Sequence, residues 1–338
     1  MSRLDELKNA IEARTARIGV IGLGYVGLPL GVEFAKAGFE VTGFDLDAQK
    51  VRKLEDGESY IEDVPSAELR AVREAGRFQA TTNFAALTKL DVINICVPTP
   101  LTRSKDPDVS HMAAAMDEIR KRLRAGQLII LGSTTYPGTT AELFVPALQE
   151  TGLVVGKDFA LCFAPERIDP GNERFKVRNV PKVVGGETPL CTELGQAVFQ
   201  TIFETVVPVS STQCAEMVKL LENTFRAINI GLANEVALMC ERLGLDAWEV
   251  IDAAATKPYG FMKFVPGPGL GGHCIPVDPS YLSWKLKSLD FSARFIELAT
   301  EINNAMPDHV VDRCAALLNE QRLAVNGSKI LILGVAYQ

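Results

Sequence analysis

Short apolar runs alternate with amphipathic stretches through the N-terminal part of the chain. The runs have the length of buried strands, and apolar positions in the intervening stretches recur at helical spacing. Strands that alternate with helices are typical of an α/β fold with a doubly wound parallel sheet. The predicted strands are Arg17–Ile21, Glu40–Phe44, Phe78–Thr81, Asp91–Val97, Gln127–Gly132, Phe159–Ala164 and Thr205–Val209.

A long helical pattern begins at Ser211. Ala215, Val218, Leu221 and Phe225 recur on one side of a helix, and the pattern continues beyond them. It predicts a long central helix that leads into a helical second domain.

A glycine-rich loop interrupts the helical pattern at residues 257–279. It contains five prolines together with Gly267, Gly269, Gly271 and Gly272. Such a run of glycines permits the backbone to approach a ligand closely. The loop is therefore a candidate for a binding site.

The last residues, Lys329–Gly334, have the pattern of a new buried strand followed by a glycine turn. A lone strand cannot bury itself, and the sequence stops at Gln338. We therefore expect three segments: a sheet domain at 1–209, a helical domain at 210–320, and at 321–338 the first strand of a third domain that is mostly missing from this chain.

Charge and cysteine content narrow the function classes. The formal net charge is −7, and the basic residues are scattered among acids, which argues against a nucleic-acid partner. The polar N-terminus is neither a signal peptide nor a membrane anchor by its pattern. Seven cysteines stand singly, without CxxC pairs or metal-ligand spacing. This usage predicts no metal site and is typical of a reducing cytoplasm.

A glycine turn directly follows the first predicted strand. Gly22, Gly24 and Gly27 have GxGxxG spacing, which lets a pyrophosphate approach a helix N-terminus. Asp45 ends the second strand, where a carboxylate binds ribose hydroxyls and repels the 2′-phosphate of NADP. This favours NAD, the alternative being a simple turn with Asp45 as a helix cap. The predicted cofactor-binding set also includes Tyr25, Val26, Lys50, Pro98, Thr99 and Thr134.

Two of these residues follow strands at the edge where a parallel sheet binds ligands. Thr99 follows the fourth strand and Thr134 follows the fifth, so both are candidates to line a nicotinamide pocket. Either residue is equally well explained as a helix cap. Lys50 can reach the adenosine side or remain a solvated surface lysine.

Cys274 lies in the glycine-rich loop, where its thiol should be accessible. We expect the other six cysteines to be buried, as most unpaired cysteines are. An accessible thiol suits aldehyde oxidation, because its attack gives a thiohemiacetal that loses hydride to form a thioester. Asp278, four residues on, can position water or act as a base.

Three further residues are candidates for oxyanion and acid–base chemistry. Lys219 and Asn223 stand four residues apart on the predicted central helix, where they can stabilise a developing oxyanion. A solvated lysine and a capping asparagine are the alternative. Glu166 follows the sixth strand and can serve as a second base. By pattern alone it reads as an acid at a helix start.

These motifs together resemble the UDP-glucose/GDP-mannose dehydrogenase family over nearly the whole chain. The resemblance implies a Rossmann-like NAD domain, a central helix that builds a homodimer interface, and a UDP-binding third domain. It implies Cys274 as nucleophile, Lys219 and Asn223 as oxyanion partners, Glu166 and Asp278 as acid–base groups, and Thr134 as a ligand of water or substrate. The motifs are GLGYVGLPL at 22–30, VPTP at 97–100, GSTTYPGTT at 132–140, APERIDPGN at 164–172, AEMVKLLENTFRAINI at 215–230 and GPGLGGHCIPVDP at 267–279.

Details of the resemblance point to one branch of the family. Enzymes acting on UDP-glucose or GDP-mannose usually have a serine before the cysteine and a lysine before the later aspartate. Here His273 and Val277 occupy these positions. The pattern is similar to the branch that oxidises UDP-N-acetylhexosamines for surface polysaccharide, with UDP-N-acetylglucosamine favoured. The predicted substrate-binding residues are Glu166, Arg167, Lys219, Asn223, Phe264, Gly267, Gly271 and His273.

Two other function classes remain open on the sequence. A two-electron hydroxyacid dehydrogenase also uses a Rossmann domain, a central helix and a Lys/Asn pair, and it needs no thiol. A chain without most of its third domain can instead be an NAD-binding remnant without activity. The number of NADH released per sugar separates these alternatives.

Overall fold

The computed structural model describes residues 2–102, 106–167, 177–272 and 274–334. The chain forms two compact units. The first comprises the chain up to Thr102 together with Pro107–Lys219, and the second contains the residues from Leu220 onward.

The described part of the first unit contains an eight-stranded sheet in the order β3-β2-β1-β4-β5-β6-β7-β8. Neighbouring strands are parallel except for the antiparallel pair β6 and β7. The predicted α/β fold is therefore confirmed. The strands are β1 Arg17–Ile21, β2 Glu40–Phe44, β3 Phe78–Thr81, β4 Val92–Ile95, β5 Leu128–Leu131, β6 Ala160–Phe163, β7 Lys182–Gly186 and β8 Val206–Val209.

β7 was not among the strands predicted from the sequence. Its segment, KVVGG, offers two adjacent valines between a lysine and two glycines, which is too short to show a period of two. Both glycines have a packing reason: a Cβ at Gly185 would lie 2.1 Å from the Ser211 carbonyl oxygen, and one at Gly186 2.3 Å from the Thr192 nitrogen. Glycine inside a strand marks this kind of close backbone approach.

Helices cover both faces of the sheet. Leu128 and Ile130 of β5 pack into one apolar cluster, and Ile129 and Leu131 into another. All four are fully buried, which contributes about 1.5–3 kcal/mol for each side chain. The helices of this unit are α1 Arg3–Glu12, α2 Gly27–Lys36, α3 Ala48–Glu55, α4 Ser66–Glu74, α5 Ser110–Arg120, α6 Val145–Gln149 and α7 Pro189–Phe199, with a π-helical turn, Thr140–Phe144, before α6.

Four further helices follow: α8 Thr212–Leu243, α9 Ala247–Ala255, α10 Asp278–Lys287 and α11 Arg294–Glu320. The long helix expected from Ser211 is thus present as α8. In the second unit, α11 packs closely on α8, because a Cβ at Gly231 would lie 3.3 Å from the Ala299 Cα. In the described parts of the chain, no helix is long and apolar enough to cross a membrane.

The strand predicted at Lys329–Gly334 is wrong, since these residues form no regular structure. A strand needs a neighbour for its backbone hydrogen bonds, and no strand in the described residues pairs with this segment. Its apolar side chains from Ile330 to Leu333 are 59% to 86% exposed.

Glu216 on α8 anchors the turn that follows β5. Its side chain is fully buried. One carboxylate oxygen accepts a hydrogen bond from the Gly138 N–H at 2.5 Å, and the other accepts from the Thr140 N–H at 2.9 Å and the Thr140 hydroxyl at 2.6 Å. Burial raises the pKa of Glu216 to about 7, although these hydrogen bonds oppose the shift.

Glu216 should make stability depend on pH. The folded-state pKa, about 7, lies above the ordinary glutamate value of 4.5, so the folded protein binds more protons between these values. Stability should therefore fall as pH rises through this window, by on the order of 3 kcal/mol, and should level off above it. Urea unfolding of wild type and Glu216→Gln at pH 5 and pH 8 measures this contribution.

The variant should lose this component of the pH dependence. Glu235→Gln, which changes an exposed glutamate of the same helix, is the matched control and should keep it. An identical pH dependence in wild type and Glu216→Gln would contradict the assignment.

Candidate active site

Two glycines of the turn after β1 are required by packing within the protein. Gly22 has a φ of +91°, and a Cβ there would lie 2.4 Å from the Cys96 carbonyl oxygen. A Cβ at Gly27 would lie 1.8 Å from the Gly22 carbonyl oxygen. These glycines let α2 begin directly against the strand ends.

Gly24 differs, because a Cβ there would meet no described atom within 4 Å. Beside it, Tyr25 is 62% exposed. Val26 precedes α2 without capping it through a side chain, and the first turn contains no acidic residue. The turn therefore presents an open, uncapped helix N-terminus, which suits the pyrophosphate of a dinucleotide.

Asp45 lies beside this turn at the end of β2. Its two carboxylate oxygens accept hydrogen bonds from the N–H groups of Leu23 and Asp47, each at 3.0 Å. Each oxygen retains a second lone pair, so the carboxylate can still accept from a ribose diol. Tyr60, which the sequence reading missed, donates from its hydroxyl to the Leu23 carbonyl at 2.7 Å. Lys50 Nζ lies 5.8 Å from the centre of the Tyr60 ring.

The ends of β4 and β5 are tied together at the same edge of the sheet. The Ser133 hydroxyl donates to the Val97 carbonyl at 2.8 Å. Thr99 and Thr134 are half-buried, and Pro98 is exposed. The neighbours β1 and β4 are where the strand order reverses, which is the ligand-binding position in such sheets.

Glu166 lies just beyond β6 in a buried ion pair. Lys182 Nζ donates to its Oε2 at 3.2 Å and to the Pro165 carbonyl at 2.8 Å. The Arg167 backbone N–H donates to Glu166 Oε1 at 2.7 Å. The Arg167 guanidinium donates to the Pro181 carbonyl at 2.6 Å. The sequence reading missed Lys182, whose only signal was a charged residue at the start of an apolar segment.

In the second unit, Cys274 lies four residues before the first residue of α10. The Asp278 N–H donates to the Cys274 carbonyl at 2.8 Å, so the chain turns tightly between them. Asn223 of α8 donates from its Nδ2 to Asp278 Oδ2 at 2.5 Å. Asp278 and Asn223 are buried, whereas Cys274 is exposed. This brings together three residues that the sequence singled out.

A second asparagine of α8 holds the glycine-rich loop at Gly267, on the N-terminal side of Cys274. Asn234 Oδ1 accepts from the Gly267 N–H, and Asn234 Nδ2 donates to Asn303 Oδ1, both at 2.8 Å. Asn303 Nδ2 in turn donates to the Ala227 carbonyl at 3.1 Å. Asn234 follows Asn223 by three helical turns, so both lie on one face of α8. That spacing is a signal that sequence reasoning overlooked.

The other predicted site residues occupy more exposed positions. The Phe264 ring packs edge-on against Phe225 of α8 with centroids 5.9 Å apart. Gly271 is exposed in the loop. Lys219 is half-buried, and its ammonium makes no hydrogen bond or ion pair with any described residue. His273 lies outside the described residues.

The remaining cysteines fit the expectation of buried thiols with one exception. Cys162, Cys191 and Cys240 are buried, and Cys96 and Cys214 are partly so. Burial raises the pKa of the Cys96 thiol to about 12. The expectation is wrong for Cys314, which is exposed on the C-terminal half of α11, beyond Met306, the last buried residue of that helix. No group of residues suited to a metal ion occurs in the described ranges.

Comparison with protein-family models identifies both units. The NAD binding domain of the UDP-glucose/GDP-mannose dehydrogenase family matches residues 16–203, and the central domain of the same family matches residues 213–305. The chain belongs to this family. The resemblance read from the sequence is therefore confirmed, and the protein is an enzyme of the nucleotide-sugar dehydrogenase class.

Individual relatives belong to the N-acetylhexosamine branch. The chain is 38% identical to UDP-N-acetyl-D-glucosamine 6-dehydrogenase of Pseudomonas aeruginosa over 95% of this chain and 75% of that protein. It superposes with a TM-score of 0.85, at 34% identity, on the UDP-D-ManNAc dehydrogenase of Pyrococcus horikoshii, covering 91% of this chain and 72% of that one. It superposes on the UDP-N-acetyl-mannosamine dehydrogenase of Staphylococcus aureus with a TM-score of 0.83, at 34% identity. That superposition covers 95% of this chain and 74% of the other.

Removing the Asn234 side chain should loosen the Cys274 loop. Asn234→Ala leaves the Gly267 N–H and the Asn303 amide oxygen without these partners, and an unmade hydrogen bond of this kind costs about 1–3 kcal/mol. Amide hydrogen exchange in residues 267–277 should accelerate by about tenfold or more. Asn229→Ala is the matched control, since the half-buried Asn229 donates to the Phe225 carbonyl of its own helix. Unchanged exchange in Asn234→Ala would exclude this anchor.

Proposed function

We propose that this protein oxidises the C6 hydroxyl of a UDP-N-acetylhexosamine, with UDP-N-acetylglucosamine favoured, to the uronic acid through a thioester on Cys274. Its product would serve surface polysaccharide synthesis. The observation that carries the proposal is the exposed Cys274 in the turn that leads into α10. Its carbonyl accepts a hydrogen bond from Asp278, the first residue of that helix, and Asn223 anchors the Asp278 side chain. Family membership supplies the reaction class.

The first unit fits NAD. When bound, NAD supplies the oxidant by accepting one hydride in each of two oxidations. The open turn at Gly24 and the N-terminus of α2 are suited to its pyrophosphate. Asp45 has lone pairs free for the ribose diol and would repel the additional phosphate of NADP. Tyr25, Val26, Lys50, Pro98, Thr99 and Thr134 are assigned to the rest of this site.

The first half of the reaction uses the polar residues of α8. In the proposal, the C6 hydroxyl releases its proton to solvent as hydride leaves C6, and the Lys219 ammonium stabilises the negative charge that develops on the C6 oxygen. Asn223 assists, because its second N–H remains free to donate when the first bonds Asp278. Cys274 Sγ then forms a bond to the C6 aldehyde carbon, giving a thiohemiacetal. Loss of a second hydride converts this to the thioester.

Hydrolysis completes the four-electron oxidation. Glu166 and Asp278 are assigned to accept the proton of the attacking water, and Thr134 to hold that water. The water oxygen bonds to C6, the C–S bond breaks, and a proton returns to the sulfur of Cys274. In total, one sugar alcohol, one water and two NAD⁺ yield one carboxylate, two NADH and three protons. Arg167, Phe264, Gly267, Gly271 and His273 are assigned to sugar and phosphate binding.

UDP-N-acetylmannosamine is the second candidate substrate. Its support is that the two structural relatives named above are dehydrogenases of that sugar. The Pseudomonas relative, named for UDP-N-acetyl-D-glucosamine, supports the first choice. The two sugars differ in configuration at one carbon, so the pocket's contacts at that carbon decide between them.

NADH yield tests the proposal directly. With NAD, UDP-N-acetylglucosamine should give two NADH per sugar, and UDP-N-acetylmannosamine, UDP-glucose and UDP-N-acetylgalactosamine should give lower kcat/KM. A yield of one NADH would indicate a two-electron dehydrogenase, and NAD binding without turnover a non-catalytic remnant. NADP in the same assay should give a much lower kcat/KM, because of the charge on Asp45.

Variants of Cys274 serve as the matched pair in this assay. Cys274→Ser can still be acylated, but its oxygen ester hydrolyses slowly, so intact-protein mass spectrometry should show an adduct of the oxidised nucleotide sugar. Cys274→Ala cannot be acylated and should show none. If Cys274→Ala retained two NADH per sugar at the wild-type rate, the thioester mechanism would be wrong.

We also propose a homodimer built through α8. Leu221, Phe225, Leu232 and Met239 are 44% to 56% exposed and recur every four or seven residues on one side of the helix. A continuous apolar stripe of this kind marks a protein interface. Light scattering should give a mass about twice 36.7 kDa. Leu232→Glu should shift it toward the monomer, while a monomeric wild type would refute the proposal.

A further inference from the structure

We propose that Lys182 is a positioning residue, whose buried ammonium holds the Glu166 carboxylate in place for thioester hydrolysis. This inference rests on the proposed function, which assigns Glu166 to that step. It adds a residue from β7, a strand that none of the sequence motifs includes.

The antiparallel direction of β7 places Lys182 opposite Glu166. Phe163 of β6 pairs with Gly185 of β7. If this register is continued three residues past Phe163, beyond the end of β6, and three residues back along β7, Glu166 lies opposite Lys182. A parallel β7 would begin at the opposite edge of the sheet. The reversal thus places the first residue of β7 at the edge where β1 to β6 end.

The Lys182 ammonium is buried, and its N–H groups donate to defined acceptors. The side chain is 3% exposed and that of Glu166 is 11% exposed. Nζ donates to Glu166 Oε2 and to the Pro165 carbonyl, and it lies 5.1 Å and 5.4 Å from the centres of the Phe199 and Phe203 rings. The rings close off the side of the ammonium that faces the core.

Stability alone does not explain this pair. Removing two charges from water is costly, and apolar residues of similar volume often serve a core equally well or better. An ion pair kept at the ligand-binding edge of a sheet therefore points to a chemical role. Through Oε2, Lys182 limits how the Glu166 carboxylate can rotate, while Oε1 accepts the Arg167 backbone N–H. The nearby Cys96 thiol stays neutral, because burial raises its pKa to about 12.

The step that depends on Lys182 in this proposal is the attack of water on the thioester. Glu166 takes one proton from the water as its oxygen bonds to C6, and the C–S bond to Cys274 breaks. Both hydrides have left before this step. Loss of Lys182 should therefore slow hydrolysis alone and leave the formation of both NADH molecules unaffected.

Rapid-mixing kinetics with Lys182→Met separates these steps. Methionine keeps an unbranched chain against Phe199 and Phe203 but lacks the charge. We expect a burst of two NADH per Cys274 at nearly the wild-type rate and an unchanged KM for NAD. Steady-state turnover should then fall by about tenfold or more, as expected for a misplaced general base. Intact-protein mass spectrometry should show the acyl adduct on Cys274 during turnover.

A double-mutant cycle of Lys182→Met with Glu166→Gln tests whether Lys182 acts through Glu166. In that background, Lys182→Met should slow turnover no further. Lys182→Met should also lower Tm more in wild type than in Glu166→Gln, because only in wild type does it leave a buried carboxylate without its counter-ion. Lys36→Met is the control, since it removes the surface ion pairs of Lys36 with Glu33 and Glu68 in the same unit and should leave the kinetics unchanged.

The outcomes separate this inference from the proposed function. If wild type releases two NADH and Lys182→Met turns over normally without an adduct, Lys182 has no role in hydrolysis, and the proposed function is unaffected. If wild type oxidises no UDP-sugar, the proposed function is wrong, and so is the role of Lys182 in hydrolysis. The Tm cycle then still reports whether Lys182 holds Glu166. Equal Tm losses in both backgrounds overturn the inference whatever the turnover.

Discussion

The helical repeat of α8 is the constraint on which the second unit depends. Asn223, Ala227, Gly231 and Asn234 lie on one face, at steps of four, four and three residues. The two asparagines bind Asp278 and Gly267, on either side of Cys274. Gly231 lets α11 approach closely enough for Asn303 to reach Ala227. A loop rich in glycine would otherwise have many conformations. One rigid helix fixes both of its ends, so the exposed thiol has a defined position.

In the first unit, glycines allow neighbouring backbone segments to approach one another closely. Gly22 and Gly27 bring β1 and α2 against the end of β4, and Gly185 allows β7 to pass beside Ser211. Because β7 runs against its neighbour, a charged residue from the start of a strand reaches the edge where Glu166 lies. The buried pair of Lys182 and Glu166 is thus a consequence of topology, and not of proximity in sequence.

Much of this architecture could be read from the sequence, because parallel strands buried on both faces produce continuous apolar runs. Three predicted strands have the observed bounds, and four extend beyond them by a residue or two. β7 could not be predicted, because its two glycines are required by tertiary contacts that the local sequence does not reveal. Lys329–Gly334 was misread because strand propensity does not reveal whether a pairing neighbour exists. Tyr60 and Lys182 escaped notice because each acts on a residue distant in sequence. Asn234 could have been found from its spacing to Asn223.

The glycine turn after β1 also has an evolutionary consequence. Gly22 and Gly27 are required by the chain's own atoms, whereas nothing in the described protein fills the space beside Gly24. Folding therefore constrains the first two positions, whereas at the third a bound dinucleotide would supply the constraint. In a lineage that abandoned the cofactor but kept the fold, drift at position 24 would come first. That position records, separately from the stability of the fold, whether a descendant still uses its nucleotide.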